Sequence, residues 1–348
     1  MDRKPLGRTG IMVPDMCLGT MTFGTQTSEG EAHRQMDMAL AGGINFVDAA
    51  EMYPVNPISK ETVGRTEEIL GNWNAANPSR RGDYVLATKH SGEGFMHARG
   101  GAPISKETIP ETVEGSLRRL RTDCIDLYQF HWPNRGSYMF RKNWEYAPKG
   151  GNRDEVLAEM HECLEALQAQ VDKGNIRAFG LSNESAWGTA QWLRQSEETG
   201  FPRVATIQNE YSLLCRLFDT DLAELCLFED VGLLAFSPLA TGLLTGKYQG
   251  GAVPEGSRMS LVPQMGGRRT GRVFDAVAAY LEIAERHGLD PVHMALAWCR
   301  GRPFMTSTIF GATTEAQLEH ILGGLDLVLS DEVLREVNAV HRAFPMPY

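Results

Sequence analysis

The chain has 348 residues, 42% hydrophobic and 22% charged, with a net charge of −10. That length allows one large domain or two modest ones, and the composition is that of an ordinary soluble globular protein. An acidic balance without a long Lys/Arg run argues against nucleic acid as a partner.

The N-terminus, Met-Asp-Arg-Lys-Pro-Leu-Gly-Arg, is charged and lacks the apolar core of a signal peptide. The longest near-apolar stretch, 232–244, is interrupted by Ser237, Pro238 and Thr241 and is too short to span a bilayer, so no membrane is expected. Six cysteines, at 17, 124, 163, 215, 226 and 299, form no C-x-x-C pair and read as reduced thiols in a cytoplasmic protein.

In chain order, a first core strand is predicted at 16–19, then a helix over 28–41 with Ser28 as N-cap and Gly42 as its stop. A strand at 44–48, a short helix at 66–73 and a strand at 84–89 follow. The next helix ends near Leu120, with Val113, Leu117 and Leu120 on one face and Pro110 fitting a first turn. A strand at 125–131 precedes a helix marked by Val156, Met160, Leu164, Leu167 and Val171 and stopped by Gly174. Further strands are predicted at 176–181, 205–208, 232–236 and 307–310. The helices between and after them lie at 185–198, 222–228, 274–287, 291–300 and from about 314, with an extra one at 331–341.

These are eight β-then-α units whose strands are continuous apolar runs, as in a parallel sheet buried on both faces. With no linker-like break, they predict a single α/β domain over residues 1–348, a (β/α)8 TIM barrel with an N-terminal cap, long C-terminal-face loops and an extra C-terminal helix. No G-x-G-x-x-G opens a helix, since Gly92-Glu-Gly94 lacks the third glycine, so a Rossmann reading is weak. Two loops, 132–154 and 239–272, are longer than closure requires. Both follow strands and belong on the C-terminal face, where barrel enzymes keep their sites. The first carries Tyr138, Phe140, Trp144 and Tyr146, which read as a self-packed surface loop or as a wall of a substrate pocket.

Three of the predicted strands end in ionisable residues: Asp48, Lys89 and His131, with Tyr53 five residues beyond the first. An unpaired buried charge is costly, so such strand ends are poor core filler. Alone, Asp48 and Lys89 read as a structural ion pair and His131 as a satisfied polar residue; together with Tyr53 on one barrel face they read as an active site. A lysine about 5 Å from the tyrosine would favour its phenolate by ~3 kcal/mol at an effective dielectric near 20, or roughly two pKa units. Asp48 would hold Lys89, and neutral His131 would donate a hydrogen bond to a substrate oxygen. Such a set suits protonation of an oxygen on which negative charge develops, as on a carbonyl receiving a hydride.

The stretches Gly43–Gly71, with Asp48-Ala-Ala-Glu-Met-Tyr53, Leu120–His131 and Gly174–Asn183 resemble the aldo-keto reductase family, and the resemblance covers nearly the whole chain. Within it, Thr20-Met-Thr-Phe-Gly24, Ala50-Glu-Met-Tyr-Pro54 and His131-Trp-Pro133 resemble the bacterial Tas-type branch related to potassium-channel β subunits. The resemblance implies that Tyr53 is the proton donor, with Asp48, Lys89 and His131 as partners. It also implies NADPH/NADP+ as cofactor, bound without a Rossmann fold. Ser182, Asn183 and Gln208 then hold the nicotinamide amide, Tyr211 stacks on or beside the ring, and Gly19 and Thr20, with Asp48, line its floor. Phe236, Ser237, Pro238, Leu239, Ala240 and Gly242 belong to the loop over the pyrophosphate. Lys247, Arg258, Gly311, Thr313 and Gln317 belong to the region receiving the 2′-phosphate. Trp132 and Trp144 of the first long loop, with Tyr53 and His131, are candidates for the substrate pocket.

An anion at the 2′ position suits Arg258 and the helix start that follows Gly311. The chain departs from the family at His320 and Ile321, where members commonly place Glu-Asn against adenine. These readings favour reduction of a small-molecule aldehyde or ketone, with an NADP(H)-binding sensor or regulatory subunit as the alternative. They leave substrate, direction and oligomeric state open. A metal- or phosphosugar-dependent barrel is disfavoured because no carboxylate/histidine ligand cluster is legible, and no metal is expected.

Overall fold

The computed structural model describes residues 1–148 and 150–348. Among these residues ten strands form two sheets. β1 (Arg3–Pro5) and β2 (Met12–Pro14) make an antiparallel hairpin. β3 (Met16–Gly19), β4 (Phe46–Asp48), β5 (Val85–His90), β6 (Ile125–Phe130), β7 (Ile176–Ser182), β8 (Val204–Glu210), β9 (Gly232–Phe236) and β10 (Met305–Phe310) close a parallel barrel in sequence order. This is the (β/α)8 barrel, with helices packed around it.

The helices begin where local chemistry can satisfy their free N–H groups. Ser28 and Glu31 form a reciprocal capping box at the helix Glu29–Ala41. Asn152, Ser185, Asp290, Thr314 and Ser330 each cap a later helix through a side-chain oxygen. Pro110 sits in the first turn of Thr108–Leu120, where its missing N–H costs nothing.

Two apolar layers surround the strands. The inner one contains Cys17, Phe46, Val85, Ala87, Leu127, Ala178, Ala205, Leu234 and Ile309, plugged from below by Leu6, Ile11 and Val13 of the N-terminal hairpin segment. The outer one fills the space between barrel and helices, with Leu18, Val47, Leu86, Tyr128, Phe179, Ile207, Leu233 and Ala235 among its members. Alternation then dictates what comes next on each strand. Above Phe46, Ala87 and Leu127, the inward positions are Asp48, Lys89 and Gln129. Bulges at β7/β8 and β9/β10 shift the register by one residue. The first turns Gln208 inward although Ala205 below it also faces in.

The hairpin strands are three residues each, too short to show a period, and this is why the opening segment reads only as a cap. Strand β4 begins at Phe46 rather than Ile44, and β8 runs on to Glu210, two residues past its predicted end. The loop 239–272 is not structureless: four helical turns, Ala240–Thr245, Gln249–Gly251, Arg258–Leu261 and Met265–Gly267, divide it.

Candidate active site

Asp48, Tyr53, Lys89 and His131 converge at the C-terminal mouth of the barrel. Lys89 Nζ lies 2.6 Å from Asp48 Oδ2, donates to Ala49 O at 2.7 Å, and reaches the Tyr53 hydroxyl at 3.5 Å. The rings of Tyr53 and His131 meet edge to face, centroids 5.8 Å apart. His131 follows the last residue of β6, and its N–H donates to His90 O at 2.9 Å.

Buried charge is compensated here on every side. The other oxygen of Asp48 accepts from Gln208 Nε2 at 2.9 Å and from Gln129 Nε2 at 3.2 Å. Burial pulls the Lys89 ammonium down, but Asp48 and then Tyr53 outweigh it, so its pKa lies above the ordinary lysine value. Burial and then the Lys89 charge hold His131 well below its usual range, so its ring is neutral. Tyr53 runs against expectation: burial is the largest influence and Lys89 only offsets it, while Asp48 adds to it, leaving the phenol above its ordinary value of 10.0. The expected phenolate stabilisation fails because burial outweighs the pull of Lys89, and the charge of Asp48 adds to it. Tyr53 is thereby a firmly protonated donor.

Gln129 was not singled out in the sequence. Its signal is a buried, inward-facing amide between Leu127 and His131. The wall around Tyr53 was missed too. Ala50, Met52, Val55 and Phe95 pack with Tyr53, and Met21 and Trp132 border them. Trp132 lies 5.1 Å from His131, centroid to centroid, and also meets Phe140 of its own loop. Trp144, in contrast, is 58% exposed.

The expected cofactor positions divide into three groups. At the strand ends, Ser182 Oγ donates to Gln208 O at 2.7 Å, and Asn183 Nδ2 donates to His131 O at 2.9 Å. Asn183 Oδ1 is buried with no partner among the described residues, an orphan acceptor of the sort an amide N–H satisfies. Gln208 uses its amide protons on Asp48 and Gln129, leaving Oε1 as its open group. At Gly19 a Cβ would meet Ile309 Cγ2 at 2.8 Å, so only glycine keeps this position flat. Thr20 is fully buried and donates to Asp48 O at 2.8 Å, tying β3 to β4.

Tyr211 requires a correction. It is 0% exposed, stacks on Trp298 with centroids 5.2 Å apart, meets Phe218 and Phe304 edge-on, and donates to Asp219. No face of this ring is open to a ligand. The half-buried aromatic at the mouth is Phe236, two residues past the inward-facing Leu234; Tyr211 lies past the end of β8, on the side of the helix layer.

In the second group, Leu239 is right-handed and Ala240, Thr241 and Gly242 are left-handed, after Ser237 at φ 55°. Two N–H groups of this segment are used within the turn, Ala240 N–H donating to Ser237 O at 2.8 Å and Gly242 N–H to Leu239 O at 2.9 Å. In the third group, Arg258 is half-buried, and burial followed by Arg268 pulls its pKa down to about 10; of its neighbours only the Tyr248 hydroxyl opposes this. Arg268 and Arg141 are both taken by Glu210, at 2.8 and 2.7 Å, where Tyr348 OH also donates at 3.1 Å. That cluster ties both long loops and the C-terminus to the end of β8. Lys247 is exposed, its Nζ 5.2 Å from the centre of the Tyr248 ring. Gln317 Oε1 accepts from the Thr313 amide and hydroxyl at 2.9 and 3.1 Å, beside the exposed Gly311. His320 instead pairs with Asp290, and Ile321 is buried in the outer core.

Residues 15–342 match the pattern of the aldo/keto reductase family. The protein is 44% identical over 354 residues to "Protein tas" of Escherichia coli (strain K12), covering 100% of this chain and 99% of that one. It is 32% identical to the "Uncharacterized oxidoreductase YrpG" of Bacillus subtilis (strain 168), covering 100% and 97%. It is 29% identical to a "Probable voltage-gated potassium channel subunit beta" of Arabidopsis thaliana, covering 99% and 98%. The chain belongs to the aldo/keto reductase family of oxidoreductases.

Proposed function

We propose that the protein reduces aldehydes or ketones to alcohols with NADPH, using Tyr53 as proton donor. The observation that carries this reading is the convergence of a protonated phenol, a charged lysine and a neutral imidazole beside the apolar cluster of Ala50, Met52, Val55 and Phe95. The cofactor fits the residues present: Asn183 Oδ1 and Gln208 Oε1 are open acceptors, and Arg258 is a half-buried cation with no carboxylate partner among the described residues. When bound, the nicotinamide supplies the hydride that reduces the carbonyl carbon.

The protein's own residues then handle the oxygen. His131, its ring neutral, donates a hydrogen bond that positions the carbonyl. Tyr53 passes its proton to the oxygen as negative charge builds there. Lys89, 3.5 Å away, stabilises the phenolate left behind by about 5 kcal/mol at an effective dielectric near 20, before the opposing charge of Asp48 is counted. The lysine therefore acts on the product side of the proton transfer rather than on the resting phenol. Met52, Val55, Phe95 and Trp132 pack with Tyr53 and shield the phenol from water.

The test is NADPH oxidation by purified protein across small aldehydes, α-dicarbonyls, aromatic aldehydes and sugars. Turnover with any class supports the reading and identifies the substrate type. The full-length similarity to a potassium-channel β subunit favours one other reading, an NADP(H)-binding regulatory subunit with little turnover. Tight NADPH binding, no turnover across the panel and a copurifying protein would establish it instead.

A further inference from the structure

Asp290, His293 and His320 lie together on the outer surface, away from the catalytic group. Asp290 caps the helix Pro291–Arg300 and His293 sits in its first turn, while His320 belongs to the last turn of Glu315–Leu322. One donor atom from each lies within 4.8 Å of the others. His320 Nε2 is 3.1 Å from Asp290 Oδ2, and His293 Nδ1 is 3.9 Å from Asp290 Oδ1. A tetrahedral ion with ligand bonds of about 2.0–2.2 Å keeps its donors about 3.3–3.6 Å apart, a spacing these two separations bracket.

The tautomer of His293 strengthens the case. Its Nε2 lies 2.6 Å from His320 O. A carbonyl can only accept, so Nε2 carries the proton and Nδ1 presents a lone pair. In the neutral ring that lone pair lies 3.9 Å from Asp290 Oδ1, the oxygen that also accepts the His293 N–H at 3.0 Å. An imidazole whose outer N–H is anchored on a backbone carbonyl is also the usual support of a metal-bound histidine. The ring cannot easily turn away: a Cβ on Gly324 would meet its Cδ2 at 2.3 Å, so it lies flat against that glycine. The three side chains are 33%, 19% and 48% exposed, leaving room for water as a further ligand.

We propose that Asp290, His293 and His320 bind one divalent transition-metal ion through a carboxylate oxygen, His293 Nδ1 and His320 Nε2. Two imidazoles and one carboxylate suit Zn2+, Co2+, Ni2+ or Cu2+, whereas Mg2+ and Ca2+ call for oxygen-only sets. The ion would staple the helix carrying Gln317 to the preceding helix, and so restrain one wall of the nucleotide region. The cluster is hidden in the sequence because His293 and His320 are 27 residues apart and meet only once both helices pack.

The experiment is titration of the full-length, tag-free protein with Co2+, followed in the visible spectrum, with displacement by Zn2+. One equivalent of Co2+ is expected to give a saturable d–d band that Zn2+ abolishes and Mg2+ does not. His293→Ala and His320→Ala should each weaken binding by at least about tenfold, while His161→Ala, an exposed histidine elsewhere, should leave it unchanged. Zn2+ should raise the unfolding temperature of the native protein and not of His320→Ala, whose exposed side chain is dispensable for folding. Absence of a saturable band, or a band retained in the His293→Ala/His320→Ala double variant, overturns the proposal.

Discussion

Gln208 Nε2 donates to Asp48 Oδ1 at 2.9 Å across the barrel mouth, between strands that stand opposite each other in the closed sheet. The bond exists because the β8 bulge turns Gln208 inward. It leaves Oδ2 of Asp48 to Lys89 alone. A residue expected to face the cofactor is therefore also part of the wiring that holds the Asp48–Lys89 pair, and a change at Gln208 should disturb both.

Removing one member of the Asp48–Lys89 pair should cost more than removing both. The two side chains are 3% and 0% exposed. Lys89→Met leaves an uncompensated buried carboxylate and should destabilise the protein by about 3–5 kcal/mol. Asp48→Asn/Lys89→Met should recover a clear part of that loss, since the neutral amide keeps its bond to Gln129 or Gln208 after one side-chain flip. Urea unfolding of the two variants checks this, and a double variant less stable than Lys89→Met would refute the compensation argument.

Tyr53→Phe should lower the carbonyl reduction rate by about 10²–10⁴-fold, the usual worth of a positioned general acid. NADPH affinity, read by quenching of protein fluorescence, should hardly change. Because burial keeps the Tyr53 pKa above 10.0, the reduction rate should show no loss of the donor as pH rises through the neutral range, and should fall only above 10. A rate profile with a descending limb near neutral pH that disappears in Tyr53→Phe would contradict the assignment.

His90 predicts an acid-side weakness in the fold. It is fully buried, with Nδ1 donating to Ser91 O at 2.7 Å, beside the Glu51–Arg99 pair. Burial lowers its pKa from 6.5 to about 4, against a smaller opposing pull from Glu51. The unfolded chain therefore binds a proton that the folded chain refuses between those two values. Its contribution is complete above pH 6.5 and is lost as pH falls through 4, a decline of up to about 3 kcal/mol. His90→Gln should be less stable at pH 7 and should flatten that slope, as denaturant midpoints measured from pH 7 to 4 would reveal.

The barrel was legible because short, largely apolar runs such as Gly232–Phe236 alternate with helices opened by caps such as Ser185 or Thr314. Asp48, Lys89 and His131 were legible for the related reason that charge at the end of such a run has no place in a core. Register changes leave no such mark. The bulges in β8 and β10 depend on pairing with neighbours far along the chain, so the inward turn of Gln208 and the burial of Tyr211 against Trp298 could not be read. The Glu210 cluster is hidden for the same reason: Arg141 and Arg268 come from two separate loops and Tyr348 from the C-terminus, and they meet only after the strands have placed Glu210 at the mouth. The sign of the Tyr53 shift was missed because a pairwise estimate counts Lys89 and omits the depth of burial.

Arg258 should trade stability for cofactor affinity. Its neighbour Arg268 is neutralised by Glu210, yet Arg258 has only a phenol to oppose its burial, and its pKa is drawn down to about 10. A depressed arginine pKa means that folding disfavours its charge at neutral pH. Arg258→Met should then raise the stability of the cofactor-free protein by on the order of 1 kcal/mol, allowing for its partial exposure. The same variant should weaken NADPH binding by about 10–100-fold, the worth of a charge-assisted hydrogen bond of about 1.5–3 kcal/mol. NADH, without the 2′-phosphate, should be affected far less. Thermal shifts of native protein and variant, with and without each nucleotide, separate the two effects. Equal losses for NADPH and NADH would place Arg258 away from the 2′-phosphate, and a destabilised free variant would show that its charge is compensated within the protein.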